Sequence, residues 1–434
     1  MYFFSLLFGG LFFLFPTNAW AYLDPGTGNA LIYILVTIVS SLLFFFKNIC
    51  YGIRLRLSGN APQKIQVPEN TNLVIFSEGK IYWPVFKPIV EALLQRQYPF
   101  RYLTMDIHDP ALTIENPCMH SKYIGSGSAA FARAASTRAL VMLQTTPHIG
   151  TPGYPMPMPT HVRCLAHVLH GVGGVGAYYK NAHDTCHTLL LMGDSDFGSI
   201  RVLEAKRGLA PRECVAAGVP SLDELAKTIV PREGCSNPPV ILVAPSWGER
   251  NCIGYCGIAF IQWLLESGYY VILRPHPFSS KAEPELIQHL ETLFRANPNL
   301  QFDHNVSSSQ SLAMADLMIS DTSGVRFDFA FLYNKPVVTL QKPFENMNQY
   351  EFGDLDYIWE EDITQKLGPI FSLDANNTLE KDIFLQKVAE ALRTDPTDLR
   401  GLRDESIANF GCSGAFIADW AIRKCAMLAE VEAL

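Results

Sequence analysis

Residues 240–277 read VILVAPSWGERNCIGYCGIAFIQWLLESGYYVILRPHP. The stretch opens on an apolar run, VILVAPS (240–246), passes through a helical pattern over 256–267 and closes on a second apolar run, YYVILRP (269–275). Short, nearly continuous apolar runs are how strands buried on both faces read, and a helix between two of them is the crossover of a parallel pair. The alternation continues in both directions. Downstream, DLMIS (316–320) and PVVTL (336–340) follow helical patterns at 284–295 and 324–333. Upstream stand LVIFS (73–77), RYLTM (101–105), ALVMLQ (139–144), VRCLAHVLH (162–170) and TLLLMG (188–193), with helical patterns at 84–96 and 221–229. Strands alternating with helices predict an α/β protein with parallel sheets covered on both faces. The run EGCSNPP (233–239) breaks the alternation and places a linker there. Two α/β units are therefore expected, at 70–232 and 238–395, followed by a helical tail at 403–432 that packs back across the first unit. Ser221 and Glu224 have the spacing of a capping box opening one of the helices.

The chain has 434 residues, a length that suits two or three domains at roughly 150 residues each. With 48% hydrophobic and 18% charged residues it is neither disordered nor collagen-like. A net charge of −8 argues against a nucleic-acid partner, whose binders carry a basic face. The ten cysteines are scattered rather than arrayed as a disulfide framework, which points to reduced thiols. The apolar excess is concentrated at the front, where residues 1–46 carry a single charge, Asp24. Segment 1–21 ends in Pro16 and Ala19-Trp20-Ala21, a signal-like pattern that also suits a first membrane span. Segment 29–46 is long and apolar enough for a transmembrane helix. Lys47, Arg54 and Arg56 follow it at once, and the positive-inside rule then puts the rest of the chain in the cytoplasm. The expected location is the inner membrane, single-pass after signal cleavage, with the catalytic part cytoplasmic.

In open α/β sheets, ligands bind beyond the carboxyl ends of the strands, so polar residues there are the candidates for chemistry. His170 ends one apolar run and is followed by Gly171, Gly173, Gly174 and Gly176. Residues 171–176 have the form GxGxxG, with Asp194 ending the next strand, which is a dinucleotide fingerprint in outline. RPHP (274–277) presents Arg274 and His276 on a stiff loop, a cation and an imidazole suited to a pyrophosphate. Asp321-Thr322-Ser323-Gly324 runs from a strand into a helix, where hydroxyls and free amides form an anion cradle unless Asp321 or Ser323 merely caps the helix. Glu78, Tyr82 and Trp83, after the first strand, form a possible acceptor site, with Trp83 alternatively a staple between helix and sheet. The His183/His187 pair lacks a third zinc ligand. No metal site and no resident cofactor are expected, and the need for a divalent ion is left open.

Taken in order, HG (170–171), AGVPSLDEL (217–225), APSWGE (244–249), RPHP (274–277), SDTSGVRFDF (320–329) and KPVV (335–338) resemble the CDP-glycerol glycerophosphotransferase family of teichoic-acid-type polymer synthesis. Where that family continues HG with Thr-Pro-x-Lys, this chain has Val172 and three glycines, and Gly248 stands where the family carries Arg. The resemblance implies a GT-B-like fold, two Rossmann-like domains with parallel sheets, to which the apolar segment 29–46 adds an N-terminal transmembrane helix. It implies His170 as the base that activates an acceptor hydroxyl, and His276 and Ser323 as donor-phosphate contacts, to which the loop and cradle readings add Arg274 and Thr322. The expected function is transfer of a polyol phosphate, most simply glycerol phosphate, from a CDP-alcohol to a hydroxyl of a lipid-linked glycan. The alternatives are a glycosyltransferase using a nucleotide sugar and a non-catalytic, membrane-tethered nucleotide- or glycan-binding subunit.

Overall fold

A computed structural model describes residues 71–433 apart from 230–233, 306, 343–346, 374–377 and 395–397. These residues fall in one compact unit, Val67–Leu434. The segments 1–21 and 29–46, with Lys47, Arg54 and Arg56, lie outside the described residues. Among the described residues, no helix is long and apolar enough to cross a membrane.

Two parallel sheets organise the unit. The first contains β1 (Leu73–Ser77), β2 (Phe100–Thr104), β3 (Met119–Tyr123), β4 (Ala139–Gln144), β5 (Val162–Val168), β6 (Thr188–Leu191) and β7 (Glu213–Ala216) in the order β3-β2-β1-β4-β5-β6-β7. The second contains β8 (Val240–Ala244), β9 (Tyr270–Leu273), β10 (Leu300–Phe302), β11 (Leu317–Ser320), β12 (Val337–Gln341) and β13 (Ile370–Ser372) in the order β10-β9-β8-β11-β12-β13. Each therefore runs outward from its first strand in one direction, then reverses and continues on the other side, the doubly wound order of a Rossmann-like half. The central strands are the apolar runs read from the sequence. Every residue of β1, β4, β8 and β11 is buried, because helices cover both faces. The strands not foreseen, β3, β7, β10 and β13, are MHSKY, ECVA, LQF and IFS, largely half-exposed and mixed in polarity.

Two local expectations are corrected. The helical pattern at 256–267 is two helices, Cys252–Cys256 and Ala259–Glu266, parted at Gly257 with its φ of +72°. The Ser221/Glu224 pair is not a capping box. The helix Pro220–Ala226 is capped by Val219 with no side-chain bond, Ser221 Oγ donates instead to the carbonyl of His170 at 3.0 Å, and Glu224 pairs with Lys87 at 2.6 Å.

The C-terminal helix Ser413–Ala433 returns to the first sheet. Its Ile417, Ala418, Trp420, Ala421 and Cys425 join a core built by Leu73, Ile75, Phe86, Ile89 and Val141. Arg96, at the end of the helix Trp83–Gln95, closes this contact with a two-pronged pair to Asp419 at 2.5 and 2.7 Å. Gly218 is what allows the tail to approach, since it has a φ of +90° and a Cβ there would lie 2.3 Å from the Ala408 carbonyl. Residues 347–354 tie the second half to the first. Arg207 pairs with Asp184, Glu351 and Asp354, Lys180 pairs with Asp354 at 2.8 Å, and Tyr179 stacks on Tyr350 at 4.6 Å. These contacts fix the width of the cleft between the sheets.

Candidate active site

The strand order reverses between β1 and β4 in the first sheet and between β8 and β11 in the second. Both reversals open crevices at the carboxyl ends of strands, where ligands bind in such folds.

In the first half, Thr146 beyond β4 donates to Glu78 beyond β1 at 2.7 Å, across the reversal. Burial raises the Glu78 pKa, and the Thr146 hydrogen bond opposes part of that shift. The Tyr82 ring meets the His170 ring edge-on at 6.0 Å, so Tyr82 is the member of the proposed acceptor set that touches the histidine. Trp83 instead packs edge-on against Tyr102 at 6.1 Å and serves as the staple between helix and sheet. His170 stands two residues past β5 and is exposed to the cleft, though its ring is surrounded by neighbouring protein. Its Nδ1 lies 3.2 Å from the Tyr178 hydroxyl oxygen, and its own carbonyl is held by Ser221. Burial lowers its pKa below the ordinary imidazole value, so the ring is neutral near pH 7. With the proton on Nδ1, which the Tyr178 oxygen accepts, Nε2 keeps its lone pair and can receive a proton.

The glycine run after His170 does not form a diphosphate loop. The amides such a loop would offer are taken: Gly174 N donates to Glu360 Oε1 at 2.6 Å and Val175 N to Asp196 Oδ2 at 3.1 Å. Two carboxylates therefore occupy the place where the fingerprint would put a pyrophosphate. Burial, then the neighbouring Glu360 charge, pushes Asp196 up to about 7.

In the second half, Asp321 is buried at the end of β11 and accepts amides from Ser246 at 2.9 Å, Cys252 at 2.9 Å and Ser323 at 3.0 Å. This one carboxylate ties the loop after β8 to the loop after β11. It does not cap the following helix, Val325–Tyr333, whose N-cap is Gly324 without a side-chain bond. The first-turn amides of Arg326 and Phe327 already donate to the Ser323 and Gly324 carbonyls, so the cradle's donors are the Ser323 hydroxyl and Thr322 Oγ1, which is buried without a hydrogen-bond partner among the described residues. His276 Nδ1 accepts the Phe278 amide at 3.1 Å. Burial, reinforced by Arg274, lowers its pKa, so the neutral ring carries its proton on Nε2 as a donor. Arg274 departs from its expected role. Its guanidinium is buried and bound to Asp303 at 2.6 Å, and Ser311 donates to the same carboxylate. Its charge is already balanced, so it braces the RPHP loop rather than offering an unbalanced cation to a pyrophosphate.

Two adjoining cavities of about 450 and about 930 Å³ share His170, Ala177, His276, Ser323 and Gly324. The larger is lined by Trp247, Arg250, Lys342 and Tyr350, and no carboxylate is among its described lining residues. In a chain of net charge −8, that lining gives this cavity a locally positive character. Arg250 lies 4.1 Å from the Tyr350 ring centre and brings a cation to this loop two residues beyond Gly248. Gly248 has a φ of +66°, a conformation that a side-chain-bearing residue rarely adopts. The smaller cavity is walled by Gly171, Gly173, Gly174, Arg274 and Asp328. Arg250, Lys342, Tyr178 and Asp328 were not singled out from sequence. The first two lie in no motif, Tyr178 lies beyond the glycines, and Asp328, although inside SDTSGVRFDF (320–329), was given no role there. Among the described residues, no group of three His, Cys, Asp or Glu is placed to hold a metal ion. His187 Nδ1 accepts the Leu165 amide at 3.0 Å, while His183 packs on His167 and Tyr178 at 4.5 Å.

Two doubly wound halves facing each other across a cleft define a GT-B-like α/β protein. Residues 194–357, which carry RPHP and SDTSGVRFDF, match the family described as CDP-Glycerol:Poly(glycerophosphate) glycerophosphotransferase. Among solved structures, the chain is similar to the wall teichoic acid polymerase TagF soaked with CDPG. That match has a TM-score of 0.52 and 14% identity, covering 90% of this chain and 98% of that one. It is also similar to UDP-GlcNAc 2-epimerase from Methanocaldococcus jannaschii in complex with UDP-GlcNAc and UDP, with a TM-score of 0.53 and 14% identity, covering 81% and 99%. At such identities the likeness shows the fold alone. No curated protein matches the chain.

Proposed function

We propose that this protein is a phosphotransferase that moves a polyol phosphate, most simply glycerol phosphate, from a CDP-alcohol to a hydroxyl of a lipid-linked glycan. The observation that carries the reading is that His170, His276 and Ser323 line the same two cavities, so a neutral base and an anion cradle share one cleft. The CDP moiety lies in the larger cavity, which has no carboxylate among its described lining residues, with its phosphates at Ser323, Thr322 and His276. The acceptor hydroxyl enters from the Glu78–Tyr82 side. Its oxygen attacks the β-phosphorus, the new P–O bond forms as the bond to the bridging oxygen breaks, CMP leaves, and the proton passes to His170 Nε2. Little covalent work falls to the protein beyond positioning and charge stabilisation, which is what this cleft supplies. An inner-membrane anchor in segment 29–46, with the cleft on the cytoplasmic side, keeps the enzyme beside its lipid-linked acceptor and its nucleotide donor. A reporter fused to the C-terminus tests that topology and should be active only in its cytosolic form.

The rival reading is a nucleotide-sugar enzyme, because the epimerase above holds UDP-GlcNAc on a similar fold. Incubation of the full-length protein in detergent with CDP-glycerol, CDP-ribitol or UDP-GlcNAc, following nucleotide release, separates them. CMP release that depends on a lipid-linked glycan supports the proposal. UDP release from UDP-GlcNAc replaces it, and tight binding of any of the three without turnover would make the protein a binding subunit.

A further inference from the structure

We propose that Asp328 reads the hydroxyl groups of the alcohol carried by the donor, and so sets which CDP-alcohol this protein accepts. The inference rests on the donor reading above. Asp328 lies in the first turns of the helix Val325–Tyr333 and lines the smaller cavity with Ser323, His276 and the glycine run. It stands four residues beyond Gly324, about 6 Å along the helix axis at 1.5 Å per residue. Helical side chains lean back towards the N-terminus, so its carboxylate tilts towards the cradle. A phosphate held at Ser323 therefore places its ester-linked alcohol beside Asp328.

Among the described residues, Asp328 has no hydrogen-bond or ion-pair partner. The neighbouring carboxylates are all engaged: Asp321 by three amides, Asp303 by Arg274, and Glu360 by the Gly174 amide. Arg274, the one Lys or Arg among the described lining residues of this cavity, pairs with Asp303. Burial holds the Asp328 pKa up at about 7, as expected of a carboxyl group that folding has left without a partner. Phosphate has no donors to give such a group and would be repelled by it. Hydroxyls do have them, and a polyol brings two or more. Gly171 also lines this cavity, and nothing lies within 4 Å of where its side chain would be, which leaves room there for the alcohol chain.

Calorimetric titration of the full-length wild type, Asp328→Ala and Asp328→Asn with CDP, CDP-glycerol and CDP-choline tests the assignment. The wild type should bind CDP-glycerol more tightly than CDP-choline. Both variants should weaken CDP-glycerol by about ten- to a hundredfold, Ala more than Asn, while affinity for CDP stays within about twofold. Unchanged CDP-glycerol affinity in both variants would overturn the assignment. So would a parallel loss of CDP, which would make Asp328 a support of the cradle, and so would a wild-type preference for CDP-choline. If the wild type bound neither CDP nor CDP-glycerol, the donor reading itself would fall, and this assignment with it.

Discussion

The Nδ1 atom of His170 lies 3.2 Å from the hydroxyl oxygen of Tyr178, eight residues further along the chain. Here the chain follows HG with a glycine run where the family carries Thr-Pro-x-Lys, and the run folds Tyr178 back onto the histidine. The contact fixes the ring's orientation and, with the proton on Nδ1, leaves Nε2 as the base. Tyr178→Phe removes the hydrogen bond but keeps the ring packing against His167 and His183. Turnover should fall by up to about tenfold, with donor affinity and melting temperature unchanged, since one neutral hydrogen bond is worth about 0.5–1.5 kcal/mol. A lower melting temperature with unchanged turnover would make Tyr178 a packing residue only.

The donor site separates residues that hold phosphate from those that hold the loop. Ser323→Ala and His276→Ala should each weaken CDP binding by about ten- to a hundredfold without lowering stability, because hydrogen bonds to charged groups are worth about 1.5–3 kcal/mol. Arg274→Ala should behave differently. It removes the cation from the buried Asp303 carboxylate, which keeps Ser311 and Asn305 as donors, and should destabilise the fold by about 1.5–3 kcal/mol. Denaturant melts read beside CDP titrations check both. An Arg274→Ala protein of native stability that no longer binds CDP would restore Arg274 as a direct phosphate contact.

The carboxyl pair under the glycine run gives a pH signature. Asp196 titrates at about 7 in the fold against an ordinary 3.8. Its folded pKa is raised, so its contribution is fully present below the unfolded value and is lost as pH rises through about 7. Asp196→Asn keeps an oxygen for the Val175 amide and removes the charge. Relative to wild type, the variant should gain stability between about pH 5 and about pH 8, read as the difference in melting temperature at the two ends. A constant difference across that range would contradict the burial of an ionisable pair at this place.

The central strands of both sheets were legible in the sequence because β1, β4, β8 and β11 are buried on both faces and so read as unbroken apolar runs. The edge strands were not, since MHSKY and ECVA are half-exposed and carry no comparable pattern. At the site, His170, His276 and Ser323 were found because each closes a strand or opens a helix at a carboxyl end. Long-range partners stayed hidden. Nothing near Arg274 announces Asp303, which folding brings to it from the next strand's end. The GxGxxG pattern misled for the same reason, because Glu360, 186 residues from Gly174, takes its amide. Ser221 and Glu224 matched a capping box by spacing, yet His170 and Lys87 are their partners in space.

His170 as the base of a glycerophosphate transfer is tested most directly by following labelled glycerol phosphate from CDP-glycerol onto a lipid-linked glycan, with CMP counted in parallel. The wild type should transfer the label with one CMP released per group moved. His170→Ala and His170→Gln should fold, bind CDP-glycerol as before, and transfer about 10²–10⁴ times more slowly, the usual contribution of a general base. Near-native transfer by both variants, or no transfer by a wild type that binds CDP-glycerol and acceptor, would contradict the account.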